Sequence, residues 1–396
     1  MQWIDKRIGG LVAVGMAAMM AGTAAQAAEV KVGLLGQFAG QYSWWGQEYR
    51  RGIEMALAEV GGKVNGHTIN IVERDEGGIN PQRIRQLTQE LIQRDRVQYI
   101  MGGTFTPTVM AAGTVITQGK VPYIVFNAGT SSVTTTSPYY VRVGVTQWSM
   151  NVPATKWAYD QGGRRAAILV ADYSPGHDAS EAFSTSFKQV GGQIADEIKV
   201  PMGTVEFTPY IQRLRDIKPD YTFVFMPVGP MSVGLVKAIQ SAGLDKQGNK
   251  AIYTTELQDN DLPAIGDAAI GALSSFHYSS YLDNPRNKAW VKAYQDKYGK
   301  NEQPGMATIA AYDGMQVLFQ MIKATNGQPD TEKAIASTRG MKWDSPRGPV
   351  SIDANREIVQ NIYMRRVERM PDGNLGNKTI ATFPSIEEPW HKTQKK

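Results

Sequence analysis

Val30-Lys31-Val32-Gly33-Leu34-Leu35-Gly36 is a short apolar run, and Gln37-Phe38-Ala39-Gly40-Gln41-Tyr42-Ser43-Trp44-Trp45-Gly46 follows it directly. A helical pattern comes next, with Tyr49, Ile53, Ala56, Leu57 and Val60 spaced to stack on one face. The order is strand, loop, helix. His67 to Asp75 reads as the next strand, and Asn80-Pro81 as a cap with proline at the first helical position, ahead of the stripe Ile84, Leu87, Leu91 and Ile92. The series continues with strand Val97 to Gly103, helix Pro107 to Gln118, strand Tyr123 to Ala128 and extended Tyr140 to Val143. Strands this apolar, alternating with helices, predict a parallel sheet covered on both faces.

The pattern restarts near Val145. A helix to Gln161, strand Ala166 to Asp172, helix Ala179 to Val190 and strand Glu197 to Val200 are followed by strand Tyr221 to Val228, helix Met231 to Ala242 and strand Ala251 to Thr255. Two α/β halves are therefore expected. Beyond them, Leu273 to Tyr281 reads as extended, Arg286 to Tyr298 and Met306 to Thr325 as helices, and the end as hairpin-like strands around Val350 and Ile362. Helices arriving after two α/β halves imply a chain that crosses back between them.

Composition removes most chemistries. The 396 residues contain no cysteine and four histidines, His67, His177, His277 and His391, with no i, i+4 pair and no HExxH. Disulfides, thiolate zinc, iron–sulfur clusters and a cysteine nucleophile are excluded, and no metal or other cofactor is expected. With 42 basic residues against 37 acidic ones and no basic run, the net charge of +5 does not indicate nucleic acid. The GxSxG, GxGxxG and GxxxxGK[ST] signatures do not occur, so no catalytic residue is assigned and an exported enzyme is disfavoured. Asp75-Glu76 reads as a solvent-facing strand end.

Lys6 and Arg7, an apolar stretch from Ile8 to Gly22 and Ala25-Gln26-Ala27 form an export signal with cleavage after Ala27. No cysteine is present to carry a lipid anchor, so a freely diffusing periplasmic protein with no membrane insertion after cleavage is expected. The loops at the C-terminal ends of the strands are where an open parallel sheet binds ligands. Three of them stand out: Gln37 to Gly46, with four aromatics; Gly102 to Thr108, where Thr106 either caps the helix opened by Pro107 or helps bind an anion; and the hydroxyl-rich Asn127 to Thr134. Trp45 suits either core packing or a ligand wall, and Phe38 the core.

Val32 to Gly46 with its helix, Ile92 to Gly102, Val121-Pro122-Tyr123-Ile124, Pro138-Tyr139, Phe207-Thr208-Pro209, Lys218-Pro219-Asp220, Ala311-Tyr312-Asp313 and Asp344-Ser345-Pro346-Arg347-Gly348-Pro349 stand in an order that resembles the type I periplasmic substrate-binding proteins of ABC transporters, the group of the leucine/isoleucine/valine-binding proteins. The resemblance implies two doubly wound parallel-sheet lobes joined by a three-strand hinge, a Venus-flytrap architecture with the ligand in the cleft. It places the signal at 1–27, lobe 1 at 28–146 plus 281–346, lobe 2 at 147–280 plus 347–390, and a tail at 391–396. The implied ligand is a small molecule, a branched-chain or other apolar amino acid by preference, with aromatic carboxylates or short amides as the alternative. The implied partner is a membrane ABC permease, or a receptor, and the implied state a monomer.

By position, Thr106 resembles the family's carboxylate-binding hydroxyl, while the Ala128 carbonyl and Thr130 resemble the groups that hold an amino acid's ammonium and carboxylate. Glu256 resembles the acid that pairs with the ammonium from the second lobe, and Trp45 the aromatic against the ligand. Tyr173 and Pro227 are expected to close over it. Pro175 and Pro227 depart from the tyrosines that amino-acid-binding members often present, so the second lobe must grip differently.

Overall fold

The computed structural model describes residues 29–394; the expected export signal and its cleavage point lie outside the described residues. The first sheet holds β1 (Glu29–Gly36), β2 (Lys63–Val64), β3 (His67–Asp75), β4 (Tyr99–Gly102), β5 (Tyr123–Val125) and β6 (Tyr140–Arg142), in the order β2-β3-β1-β4-β5-β6. All run parallel except β2, which forms a hairpin with β3, and the register sets Val32 beside Ile71 and Tyr99. Helices α1 (Ser43–Glu59), α2 (Pro81–Gln93) and α3 (Thr106–Gly119) make the crossovers. Asn80 does cap α2, accepting from the Arg83 N–H at 3.0 Å. Such a cap contributes about 1 kcal/mol.

The second half begins with α4 (Gln147–Asp160), β7 (Arg165–Ala171), α5 (Ser174–Gln189) and β8 (Gln193–Val200), and continues through α6 (Thr208–Ile217), β9 (Tyr221–Phe225), α7 (Pro230–Ser241), β10 (Lys250–Tyr253), α8 (Leu262–Ile265) and β11 (Leu273–Phe276). Helices α9 (Pro285–Tyr298), α10 (Met306–Thr325) and α11 (Thr331–Thr338) then return to the first half, where Trp290, Tyr312, Leu318 and Ile335 join the core under the first sheet. The chain closes with β12 (Lys342–Ser345), β13 (Gly348–Ile352), β14 (Ile358–Arg369), β15 (Leu375–Ile386) and the short α12 (Trp390–Thr393). The second sheet runs β12-β13-β14-β11-β10-β9-β7-β8, with β15 on the outer side of β14.

β14 belongs to both halves. Glu357, just before it, bridges to Arg142 on β6, whereas Phe276 of β11 pairs with Tyr363 farther along. Val350, Ile352, Ile358 and Ile362 accordingly pack in the first core, Met364 and Val367 in the second. A 12-residue strand spans the junction, and the packing passes from the first core to the second within β14.

Several elements were not anticipated. α6 is a ten-residue helix that packs Tyr210, Ile211, Leu214 and Ile217 on the second core. α11 is a two-turn helix whose Asp330 cap accepts from the Lys333 N–H, β2 has two residues, and β15 is polar and half exposed along most of its length. α5 also starts five residues earlier than its periodicity suggests. Pro175 occupies the first turn, where a missing N–H costs nothing.

Candidate ligand-binding site

A cavity lies between the two halves, with about 480 Å³ of space not filled by atoms, its mouth included. Trp45, Thr104, Phe105, Thr106, Asn127 and Gln147 form much of the wall from the first half. Tyr173, Pro175, Phe225, Pro227, Val228 and Thr255 face them from the second, and Met306 at the start of α10 completes it. None of these side chains carries a charge.

The first wall rests on a buried acid. Glu76 is fully buried, accepting from the Thr104 N–H and Thr108 Oγ1 at 3.2 Å each and from Gln37 Nε2 at 3.1 Å. It ties the loops after β1 and β4 together instead of facing solvent, which corrects the expectation from sequence. Burial pushes its carboxyl up to about 7, against the pull of these donors. Gly102 and Gly103 make the turn into α3 at φ +105° and +84°; a Cβ on Gly102 would lie 2.0 Å from the Leu35 carbonyl oxygen.

Thr106 lines the cavity but does not cap α3. Phe105 is the cap residue, with no side-chain hydrogen bond, and Thr106 is the first helical residue. Its Oγ1 accepts from the Thr130 N–H at 3.3 Å. The first N–H groups of α3 thus have no capping side chain, and a helix start in that condition favours an anion. α5 is likewise uncapped where Tyr173 and Pro175 meet the cavity. Trp45 Nε1 and Gln147 Oε1 are buried on the wall without a protein partner, and Thr104 Oγ1 has the Tyr49 hydroxyl beside it.

Four of the seven residues expected at the site, Trp45, Thr106, Tyr173 and Pro227, line this cavity together. Trp45 is both core and wall: 3% exposed, it stacks on Trp44 with centroids 4.5 Å apart. Tyr173 stacks on Phe225 at 6.2 Å, and burial raises its phenol.

Ala128, Thr130 and Glu256 are placed otherwise. Gly129, between the first two, forms the wall, while the carbonyls of Ala128 and Thr130 turn to Arg142 Nη1 at 2.8 and 2.6 Å. Arg142 also donates to the Ser131 carbonyl and pairs with Glu357 at 2.7 Å, both side chains shut off from solvent. The guanidinium holds Ala128 at φ +65°, a left-handed conformation that non-glycine residues adopt rarely. A carbonyl already bonded to a guanidinium offers a poor seat for an ammonium, which would meet a like charge there.

Glu256 faces into the second half. Its carboxylate accepts from the Met226 and Thr254 N–H groups and from Thr254 Oγ1, and burial raises its pKa to about 7. Thr255, one residue earlier in the turn after β10, is the one on the wall. Gln147, Asn127 and Phe225 were missed. The sequence carried one usable signal, a polar residue at the point where the second βα series begins.

Among the described residues, no group of three or more His, Asp or Glu is placed to hold a metal ion, and no helix is long and apolar enough to cross a membrane.

The family model for periplasmic binding proteins matches residues 29–374. A Leu/Ile/Val-binding protein homolog of Brucella melitensis is 40% identical over 377 residues, spanning 95% of this chain and 97% of that protein. An ABC-transporter solute-binding protein of R. palustris, solved with 4-hydroxybenzoate, superimposes with a TM-score of 0.89 at 44% identity, over 92% of this chain and 100% of the other. Another, from Rhodopseudomonas palustris BisB5 and solved with 3,4-dihydroxybenzoic acid, gives 0.86 at 38% identity, over 92% and 99%. Two parallel-sheet lobes around an interlobe cavity, and a family match over most of the chain, lead to one conclusion: this chain belongs to the type I periplasmic binding proteins, in the Leu/Ile/Val-binding protein family of ABC-transporter solute-binding proteins.

Proposed function

We propose that the chain is a periplasmic solute-binding protein that captures a monocyclic aromatic carboxylate of the hydroxybenzoate class and hands it, as a monomer, to a membrane ABC permease. The observation that carries this reading is the uncharged wall. It offers a carboxylate the uncapped start of α3, the Thr104 hydroxyl and the unpartnered Trp45 Nε1, and it offers an ammonium no acid. The ring would lie among Trp45, Phe105, Phe225, Pro175 and Pro227, flat apolar surfaces that suit an aromatic body. The hydroxybenzoate and dihydroxybenzoate complexes of the two similar structures support the same class.

The ligand meets lobe 1 first, where N–H and O–H donors hold the carboxylate. Hinge closure then brings the lobe-2 wall over the ring and expels water, which strengthens each polar contact. Two or three charge-assisted hydrogen bonds, at about 1.5–3 kcal/mol each, together with burial of the ring support roughly micromolar affinity or better after the cost of association.

Calorimetry with 4-hydroxybenzoate, 3,4-dihydroxybenzoate, benzoate and leucine tests the reading. The aromatic acids should bind with leucine at least about 100-fold weaker, and Glu256→Gln should leave aromatic affinity within about threefold, since its carboxylate lies off the wall. Leucine binding more tightly than every aromatic acid would overturn the proposal in favour of the amino-acid reading.

A further inference from the structure

Hydrogen bonds cross from lobe to lobe on two sides of the cavity. On one side, Asp178 of α5 accepts from the Ser131 N–H at 2.9 Å. On the other, Gln258, in the segment after β10, accepts through Oε1 from the N–H of Met306, the first residue of α10, also at 2.9 Å. All four residues are buried, with exposures of 8%, 0%, 2% and 5% in the order Asp178, Ser131, Gln258, Met306.

The two contacts share a design. Each receiving segment of lobe 1 lacks a cap of its own: Thr130, before the turn Ser131–Thr135, makes no side-chain cap bond, and Gly305, before α10, has no side chain to make one. Such N–H groups must find a partner once water is gone. In separated lobes water supplies it; in the closed cleft a side chain from lobe 2 does. Both contacts also adjoin the wall. Pro175 lies three residues before Asp178 and Thr255 three before Gln258, while Met306 is itself on the wall and the Thr130 N–H is held by Thr106.

We propose that Asp178 and Gln258 are closure residues, which cap lobe-1 N–H groups only when the lobes are shut and so set how long a ligand is held, without touching it. They are positioning residues. The inference uses the hinged two-lobe fold and does not depend on which acid fills the cavity. Asp178 accepts from a backbone N–H, so an asparagine of the same shape can keep the contact.

The test compares wild type, Asp178→Ala, Asp178→Asn, Gln258→Ala and the double alanine variant by stopped-flow with 4-hydroxybenzoate, and by X-ray scattering without ligand. Each alanine variant should release ligand about tenfold faster with association changed less than about threefold, the double variant about 100-fold faster, and Asp178→Asn should stay within about threefold of wild type. Ligand-free scattering should show a larger radius of gyration in the alanine variants than in wild type. If 4-hydroxybenzoate does not bind wild type, the carboxylate reading fails, and the scattering comparison alone decides the closure residues. Unchanged scattering together with unchanged release, or no binding, would overturn the proposal. So would an asparagine variant as fast to release as the alanine one.

Discussion

The lobe-1 wall presents Thr104, Asn127, Gln147 and the uncapped start of α3 to the cavity, whereas the lobe-2 wall presents Pro175, Phe225, Pro227 and Val228. One wall supplies directed hydrogen bonds, the other shape and apolar area. The difference extends to what holds each wall. The lobe-1 loop after β5 is fixed by a buried cation, Arg142, bonded to the carbonyls of Ala128, Thr130 and Ser131 and balanced by Glu357 from the far end of the chain. The lobe-2 wall stands on stacked rings and a sheet edge, with Tyr173 on Phe225 and Thr255 beside the buried Glu256. Directed bonds need a rigid frame, since a donor displaced by an ångström is lost; apolar contact tolerates more.

The largest effect should come from breaking the lobe-1 frame. Arg142→Met leaves Glu357 charged and buried and frees three carbonyls, which should cost about 3–5 kcal/mol of stability and abolish measurable binding. Denaturant unfolding and calorimetry read both, and a variant that melts like wild type and still binds would show that the loop stands without its cation.

Next comes a pair that separates the walls. Phe225→Ala should lower stability by about 3–5 kcal/mol and weaken all aromatic acids alike, because it removes both core and lid. Thr104→Val deletes a buried hydroxyl whose one protein neighbour is the Tyr49 hydroxyl, so the melting temperature should fall little while carboxylate affinity falls about tenfold. Equal losses of affinity and stability in both variants would erase the distinction between the walls.

The smallest expected effect is the pH dependence of stability. Burial raises Glu76 in lobe 1 and Glu256 in lobe 2 to about 7, Glu388 to about 7 and Asp178 to about 6. Between these values and the ordinary carboxylate range near 4, the folded chain holds protons that the unfolded chain has released. Their contribution to stability is therefore present at pH 5 and lost as pH rises through 6 to 7. Asp261 is likewise raised to about 7 by burial; His277, buried and held neutral, works in the opposite direction below pH 6.5, but it is one group against several. Melting temperature should fall by on the order of 5 °C from pH 5.5 to pH 8, with a shallower fall in Glu76→Gln. A flat profile in wild type would mean that the backbone donors around these carboxylates outweigh their burial.

Much of the fold was legible because its elements advertise themselves locally. The β1 run, the Asn80-Pro81 cap and the stripe of Met306–Thr325 each place an element within a residue or two. β15 was illegible for the opposite reason: half exposed along most of its length, it buries too little to pattern its residues. At the site, Trp45 and Thr106 could be named from loop chemistry, Tyr173 and Pro227 only from the family resemblance, and the four do meet at one cavity.

Ala128, Thr130 and Glu256 show where that reasoning stops. Each sits one residue from a position that lines the wall, Gly129 or Thr255, in loop and turn segments where no periodicity fixes which side chain faces the cleft and which the core. The sequence by itself determined the two βα series, the return of the chain and the absence of thiol chemistry, since these follow from periodicity and composition. The tertiary structure alone decided which polar groups remain for a ligand. Arg142 claims the carbonyls of Ala128 and Thr130 and is itself balanced by Glu357, 215 residues on, and a buried hydrogen bond already made within the protein is no longer free to hold anything else.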